Sequence, residues 1–295
     1  MLEIDHLPLQ TRYRKGVRRS VLSAVLALAT GCSLLIPLDG LQGQEEANGV
    51  EASSDGGTAS NDAGAPSNDA DVSGDAGACV EPGLVAYYRF DDTADVLHNC
   101  VPDAGLDAVI KKSAALVPGG ISGSALKLLT RDGYAEIQGS HPVFAQGPIT
   151  VSVWINVQSY DNHGRILSNR APSDAGGSLT STSLDLAVEG TNVADGGVGF
   201  YVSTNENWVL GQLARRTWMH VAGVYRVSSG SATSEIWVDG KLVRKLPDTR
   251  ESSSVAMRIG NEYRPQSYGF DGLIDELRIY DRALESAELE ALAKR

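Results

Sequence analysis

Apolar and polar positions follow three different rules along the 295 residues of the chain. Near the start, a basic stretch ending in Arg18-Arg19 runs into an apolar run over 21–29, the length expected for the h-region of a secretory signal. Over 44–78 large apolar residues almost vanish, with Val50 and Val72 isolated among Gly, Ser, Ala, Asn and Asp. Such a segment cannot bury enough surface to offset its ordering entropy, so it reads as a disordered linker. Past Cys79 the pattern becomes short runs of alternating apolar and polar residues, separated by Gly, Asn, Asp and Ser clusters.

These runs predict strands over 84–90, 125–129, 134–138, 149–157, 164–168, 183–188, 198–203, 218–226, 234–238, 241–246, 255–259 and 272–280. The clearest hairpin is Val238-Asp239-Gly240-Lys241, because Asp-Gly tolerates the positive φ of a type I′ turn. One short C-terminal helix is predicted from Leu284, Leu289 and Leu292, with Ser286 as N-cap and Glu288 in the first turn. About a dozen strands without interspersed helices point to an all-β fold, an antiparallel β-sandwich of jelly-roll kind. The expected organisation is a signal over 1–32, a linker over 33–78 and one domain over 79–295.

Charge sharpens this division. The formal net charge is -12, from 37 acidic and 25 basic side chains. Residues 44–78 carry Glu45, Glu46, Glu51, Asp55, Asp62, Asp69, Asp71 and Asp75 with no Lys or Arg, which makes the linker self-repelling and leaves the domain mildly acidic. An acidic chain without a basic face is a poor nucleic-acid binder. Leu28-Ala-Thr-Gly31-Cys32 resembles the bacterial lipobox, although its Leu lies one position early, and implies lipidation at Cys32 and an N-terminal lipid anchor in a membrane. An uncleaved anchor over 21–38 and an ordinary cleaved signal compete with it, and all three place the remainder outside the cytoplasm. With Cys32 set aside, Cys79 and Cys100 form an even pair in an exported chain and read as one disulfide.

Several segments carry a family likeness: Ile149-Thr-Val-Ser-Val-Trp154-Ile, Trp218-Met-His220-Val-Ala-Gly-Val-Tyr225, Ile236-Trp-Val-Asp-Gly240-Lys-Leu, Met257-Arg-Ile-Gly-Asn261 and the long motif over 270–289. In this order they resemble the strands of a laminin-G-like domain of the concanavalin A-like lectin and glucanase superfamily. The resemblance implies two stacked, curved antiparallel sheets and does not imply a ligand. In a regular strand over 270–280, Leu273, Asp275, Leu277 and Ile279 share one face, which puts Asp275 in line with core residues. There its carboxylate needs hydrogen-bond donors or a cation.

Calcium enters as a candidate because many laminin-G-like and pentraxin domains bind it. Gly260-Asn261-Glu262-Tyr263-Arg264 resembles the pentraxin ligand loop but places Arg264 where a ligating Asp belongs, which argues against a pentraxin-type double site. A single site from Asp91 or Asp92 with Asp275 or Glu276 is the calcium candidate, since first and last strands are neighbours in this fold. Catalytic patterns fare worse. A glycosidase of the superfamily carries Glu-x-Asp-x-Glu or Glu-x-Asp-x-x-Glu, whereas Ser183-Leu-Asp185-Leu-Ala-Val-Glu189 has Ser in the nucleophile position and three residues between its carboxylates. No Gly-x-Ser-x-Gly elbow, zinc-spaced His/Cys cluster or phosphate loop is present in the sequence, and His220 reads as a strand histidine among apolar neighbours.

Recognition is the remaining chemistry. Tyr160, Asn162, Asn205, Asn207, Trp208, Asn261, Tyr263 and Tyr268 fall at predicted loops, and aromatic rings beside amides suit a sugar's apolar face and hydroxyls. Trp208, Asn205, Tyr263 and Tyr268 are the expected ligand contacts, while Trp154, Trp218 and Trp237 lie in strand patterns and are expected in the core. The sequence therefore reads as an exported, lipid-anchored surface module that binds glycan or a surface protein without catalysis. Its alternatives are a structural or adhesion module of the envelope with no small ligand, and an unconventional glycosidase using Asp185 and Glu189.

Overall fold

The computed structural model describes residues 79–129, 132–160, 163–170, 184–190, 196–203, 207–252, 255–263 and 268–294. Cys32, the 33–78 linker and Asn205 lie outside them. Sixteen strands are present among the described residues. The first six are β1 (Leu84–Tyr88), β2 (Val96–Leu97), β3 (Ala108–Lys111), β4 (Ala114–Pro118), β5 (Ser124–Leu128) and β6 (Tyr134–Ile137). Next come β7 (Ile149–Val157), β8 (Gly164–Ser168), β9 (Asp185–Glu189), β10 (Gly196–Tyr201) and β11 (Trp208–Leu213). The last are β12 (Trp218–Ser228), β13 (Ser231–Val238), β14 (Lys241–Pro247), β15 (Arg258–Ile259) and β16 (Gly272–Tyr280), followed by the helix α1 (Ser286–Leu292).

They form two antiparallel sheets. Sheet A runs β14-β13-β12-β7-β16-β5-β4, with β1 also on β16, and sheet B runs β11-β10-β9-β8-β15-β6-β3-β2. The alternation dictates the core: Val151, Val153 and Ile155 of β7 meet Leu186, Val188, Val198 and Phe200 of sheet B in one buried cluster. The Asp239-Gly240 turn has φ of 47° and 72°, the left-handed pair that a type I′ turn demands.

The expected regular alternation in the last strand needs correction. One extra residue is inserted in β16 between Asp275 and Arg278 relative to β7, and Glu276 takes φ of 54°. Ile274, Leu277 and Ile279 consequently reach the core together, while Leu273 is only half-buried and outside it. The bulge is also where β16 changes partner, pairing with β5 before it, through Gly272–Ile274, and with β1 after it, through Leu277–Tyr280.

Outside sheet A a second apolar layer gathers Ala222, Val224, Trp237 and Tyr280 against Leu284, Leu289, Tyr87 and Cys79. Cys79 and Cys100 form a disulfide, with Cα atoms 5.5 Å apart. The helix starts one residue earlier than expected: Glu285 is its N-cap and exchanges hydrogen bonds with Glu288 in a capping box. Among the described residues no helix is long and apolar enough to cross a membrane.

Candidate binding face

The outer face of sheet B has a different composition. In β9, Leu186 and Val188 point into the core, so Asp185, Ala187 and Glu189 share the opposite face. Arg165 of β8 pairs with Ala187 and therefore stands between the two carboxylates. Beyond β9, Tyr201 pairs with Asp185 and Gly199 with Ala187. Trp208 opens β11 opposite Gly199, so its indole lies on the same face, where it is 37% exposed at the sheet edge.

Arg165, Asp185, Glu189 and Glu262 are all buried. The Arg165 guanidinium contacts Asp185 at 3.2 Å and Glu189 at 3.7 Å through Nη1, and Glu262 at 3.3 Å through Nε. Arg170 approaches Asp185 at 3.6 Å. Glu189 also accepts a hydrogen bond from the Tyr201 hydroxyl at 2.7 Å and contacts the His163 ring. Tyr201 lies across Gly199, whose position would put a Cβ 2.5 Å from the phenol ring and 2.8 Å from Glu189 Oε1. Only glycine leaves that approach open.

Tyr268 closes the group, with the Arg165 guanidinium 5.3 Å from its ring centre and the His163 ring 5.6 Å away. A second network adjoins it. Arg258 contacts Glu136 at 2.9 Å, stacks 3.5 Å from the centre of Tyr263 and 4.3 Å from that of Tyr134, and donates to the Glu262 carbonyl.

Burial sets the electrostatics. It pushes the Asp185 carboxyl up to about 6, against the lowering effect of Arg165 and Arg170. Burial also disfavours the charge on Arg165, but Asp185, Glu262 and Glu189 outweigh it and raise its pKa. The Tyr201 hydroxyl is raised by burial and by Glu189, and stays protonated as a donor. The face thus combines aromatic surface with fixed donors and acceptors, which suits recognition of a polar, ring-shaped ligand.

Trp208, Tyr263 and Tyr268, three of the expected contacts, lie at separate points of this face: Trp208 on the edge strand β11, Tyr268 against Arg165 of β8, and Tyr263 against Arg258 of β15. Tyr160, Asn207 and Asn261, expected at exposed loops, are instead buried. Trp154 and Trp237 are buried and Trp218 is half-buried. The calcium candidates are split. Asp91 accepts the Ser124 N–H at 2.9 Å, and Asp275 accepts those of Ile121 and Ser122 at 2.7 and 3.1 Å, so both hold the β4–β5 turn. Burial pushes Asp275 up to about 7, with those N–H groups acting in the opposite sense. Asp92 accepts the His98 N–H, and Glu276 accepts from the Tyr87 hydroxyl and Arg278. Among the described residues no group of three or more His, Cys, Asp or Glu is arranged to hold a metal ion.

Comparison with known proteins follows the fold. The laminin-G family model described as concanavalin A-like lectin/glucanases superfamily matches residues 129–290. Domain 4 of AbnA, a GH43 extracellular arabinanase from Geobacillus stearothermophilus solved in complex with arabinotriose, superposes with a TM-score of 0.53 at 19% identity, over 73% of this chain and 100% of that one. The binding domain of Paraclostridial Mosquitocidal Protein 1 gives 0.54 at 14% identity, over 72% of this chain and 52% of that one. Trypanosoma rangeli sialidase gives 0.54 at 16% identity, over 73% of this chain and 33% of that one. The chain thus spans about half of the second protein and a third of the third. No curated protein matches it.

Proposed function

The chain belongs to the concanavalin A-like lectin/glucanase superfamily, and on that premise we propose that it is a non-catalytic binding module that recognises glycan through the outer face of sheet B. One observation carries the reading: Trp208, Tyr263 and Tyr268 share a face with the buried Arg165–Asp185–Glu189–Glu262 network. Rings supply stacking surface, and the network supplies fixed polar partners that a sugar's hydroxyls can use. The arabinotriose complex of the arabinanase domain and the printed binding role of the mosquitocidal domain support it by analogy of fold. Glu189 is held by Arg165, Tyr201 and His163, which leaves it poorly placed to serve as a nucleophile or as a proton carrier.

In this proposal the module is exported, anchored through lipid on Cys32, carried clear of the membrane by the acidic 33–78 linker, and has no nucleic-acid partner. The test is a thermal melt of the chain against a polysaccharide and glycan panel, with calcium and with EDTA. Binding to the folded state raises the midpoint, by about 2.7 kcal/mol of stabilisation at a hundredfold excess over the dissociation constant. Trp208→Ala is expected to abolish that shift while leaving the unliganded midpoint within about 0.5 kcal/mol of wild type, as for an exposed side chain. Indifference to every glycan overturns the reading in favour of an envelope adhesion module. Release of reducing sugar from any polysaccharide, lost in Glu189→Gln, overturns it in favour of hydrolysis. Loss of stability in EDTA would show that the fold holds a metal ion.

A further inference from the structure

Resting on the glycan reading above, we propose that Asp185 and Arg165 clamp a single sugar hydroxyl, so that the face takes neutral saccharides in preference to uronic acids or amino sugars. Asp185 is fully buried, and among the described residues neither of its carboxylate oxygens has a hydrogen bond. Arg165 Nη1, 3.2 Å away, has none either. The contact between them is an ion pair whose alignment leaves an acceptor and a donor unused side by side. Buried polar groups in that condition are rare, and each calls for a partner.

The partner is specified by what both groups lack. A hydroxyl donates to the carboxylate and accepts from the guanidinium in one stroke. An ammonium only donates, and leaves Arg165 Nη1 unused. A uronate only accepts, leaves Asp185 unused, and adds a negative charge beside Asp185, Glu189 and Glu262, which already outnumber Arg165 and Arg170. Glu189 and Glu262 have hydrogen-bond donors of their own, so among the carboxylates around Arg165 it is Asp185 whose hydrogen bonds are unmade, beside the Arg165 nitrogen facing it. Arg170, with its side chain 19% exposed, lies 3.6 Å from Asp185, so a ligand that reaches the carboxylate has to displace side chains packed around it. Water offers the same hydroxyl chemistry, and the ligand displaces it.

Isothermal titration of the chain with arabino-, xylo-, gluco-, manno- and galacto-oligosaccharides, polygalacturonate fragments and chitosan fragments tests this. At least one neutral series is expected to bind, and both charged series to bind at least roughly tenfold more weakly, the scale of a hydrogen bond to a charged group. O-methylation of the bound oligosaccharide keeps its ring and acceptors, removes its donors, and should cost a similar factor. Asp185→Asn should match that loss. Equal affinity for a charged series, or undiminished binding of the O-methylated sugar, overturns the clamp while glycan binding stands. Undiminished binding by Asp185→Asn also overturns it, leaving water as the occupant. Binding of no saccharide overturns the clamp and the glycan reading together. The ligand-side deletion needs no variant, so an Asp185→Asn chain that fails to fold leaves the test intact.

Discussion

The two outer faces of the sandwich use the same kind of strand and reach opposite chemistry. Outside sheet A, the chain ends supply apolar cover: Leu284 and Leu289 lie with Ala222, Val224, Trp237 and Tyr280 in one cluster that also includes Cys79 and Tyr87. Outside sheet B, comparable burial is reached by Arg165, Asp185, Glu189 and Glu262. Removing apolar surface from water stabilises a fold directly, whereas burying charge costs free energy that pairing only offsets. The apolar layer on sheet A is thus explained by stability alone. Carboxylates are buried on sheet A as well, at Glu235, Asp275 and Glu276, but each has its own partners in Arg226 and Lys245, in backbone N–H groups, or in Arg278. On sheet B three carboxylates instead converge on the single Arg165, which is the reason to place recognition there.

The largest effect is expected on sheet B. Arg165→Met leaves three buried carboxylates without their shared cation, and should lose about 3–5 kcal/mol in urea unfolding. An unchanged midpoint would mean that water already screens these groups, and the face would lose its claim to be a packed network. On sheet A, Leu289→Ala removes a fully buried side chain from α1 and should lose about 2–4 kcal/mol. Its affinity for any glycan that binds the wild type should stay the same. A parallel loss of affinity would show that the two faces are coupled and that the comparison fails.

How far each face is legible in sequence follows from its physics. Period-2 alternation marks strands that separate a core from an outer side, and the bounds of β7, β8 and β16 agree with the pattern. The short β2, the Lys-bearing β3, and β4 do not stand out. Nor does β11, whose Gly211 sits at φ of 73°. The bulge at Asp275 and Glu276 is invisible because an inserted residue leaves no mark on composition. On sheet B, Trp208, Tyr263 and Tyr268 are legible as aromatics at predicted loops. The charged network is not, because Arg165, Asp185 and Glu262 meet only after β8, β9 and the segment following β15 become neighbours. Asp185 and Glu189, weighed only as a hydrolytic pair, share a face through their four-residue separation; what that spacing cannot announce is the arginine between them.

The smallest expected effect contrasts the faces by pH. On sheet A, His220 is buried with Nε2 2.8 Å from Ser152 Oγ, and burial, joined by the charge of Arg278, lowers it from 6.5 to about 4. An unfolded chain takes up that proton near pH 6.5 and the folded one only near 4, so the stability His220 contributes is full above 6.5 and lost as pH falls between them. On sheet B, Asp185 is raised from 3.8 to about 6, so its contribution is full below 3.8 and lost as pH rises through about 6. Asp275, on β16 of sheet A and raised to about 7, acts in the same sense as Asp185 and opposes His220 within its own sheet. Between pH 4 and 6 His220 and the two buried carboxylates therefore tilt stability in opposite directions. Replacing His220→Asn removes one slope: relative to the variant, wild type should gain about 1–2 kcal/mol as pH rises from 4 to 6.5, read from urea midpoints across the range. Curves that stay parallel would show His220 taking up its proton as readily folded as unfolded, and the outer face of sheet A would then be wetter than its packing implies. Asp185→Asn should shift the balance the other way, steepening the gain of stability with pH, because the opposing carboxylate on sheet B is gone.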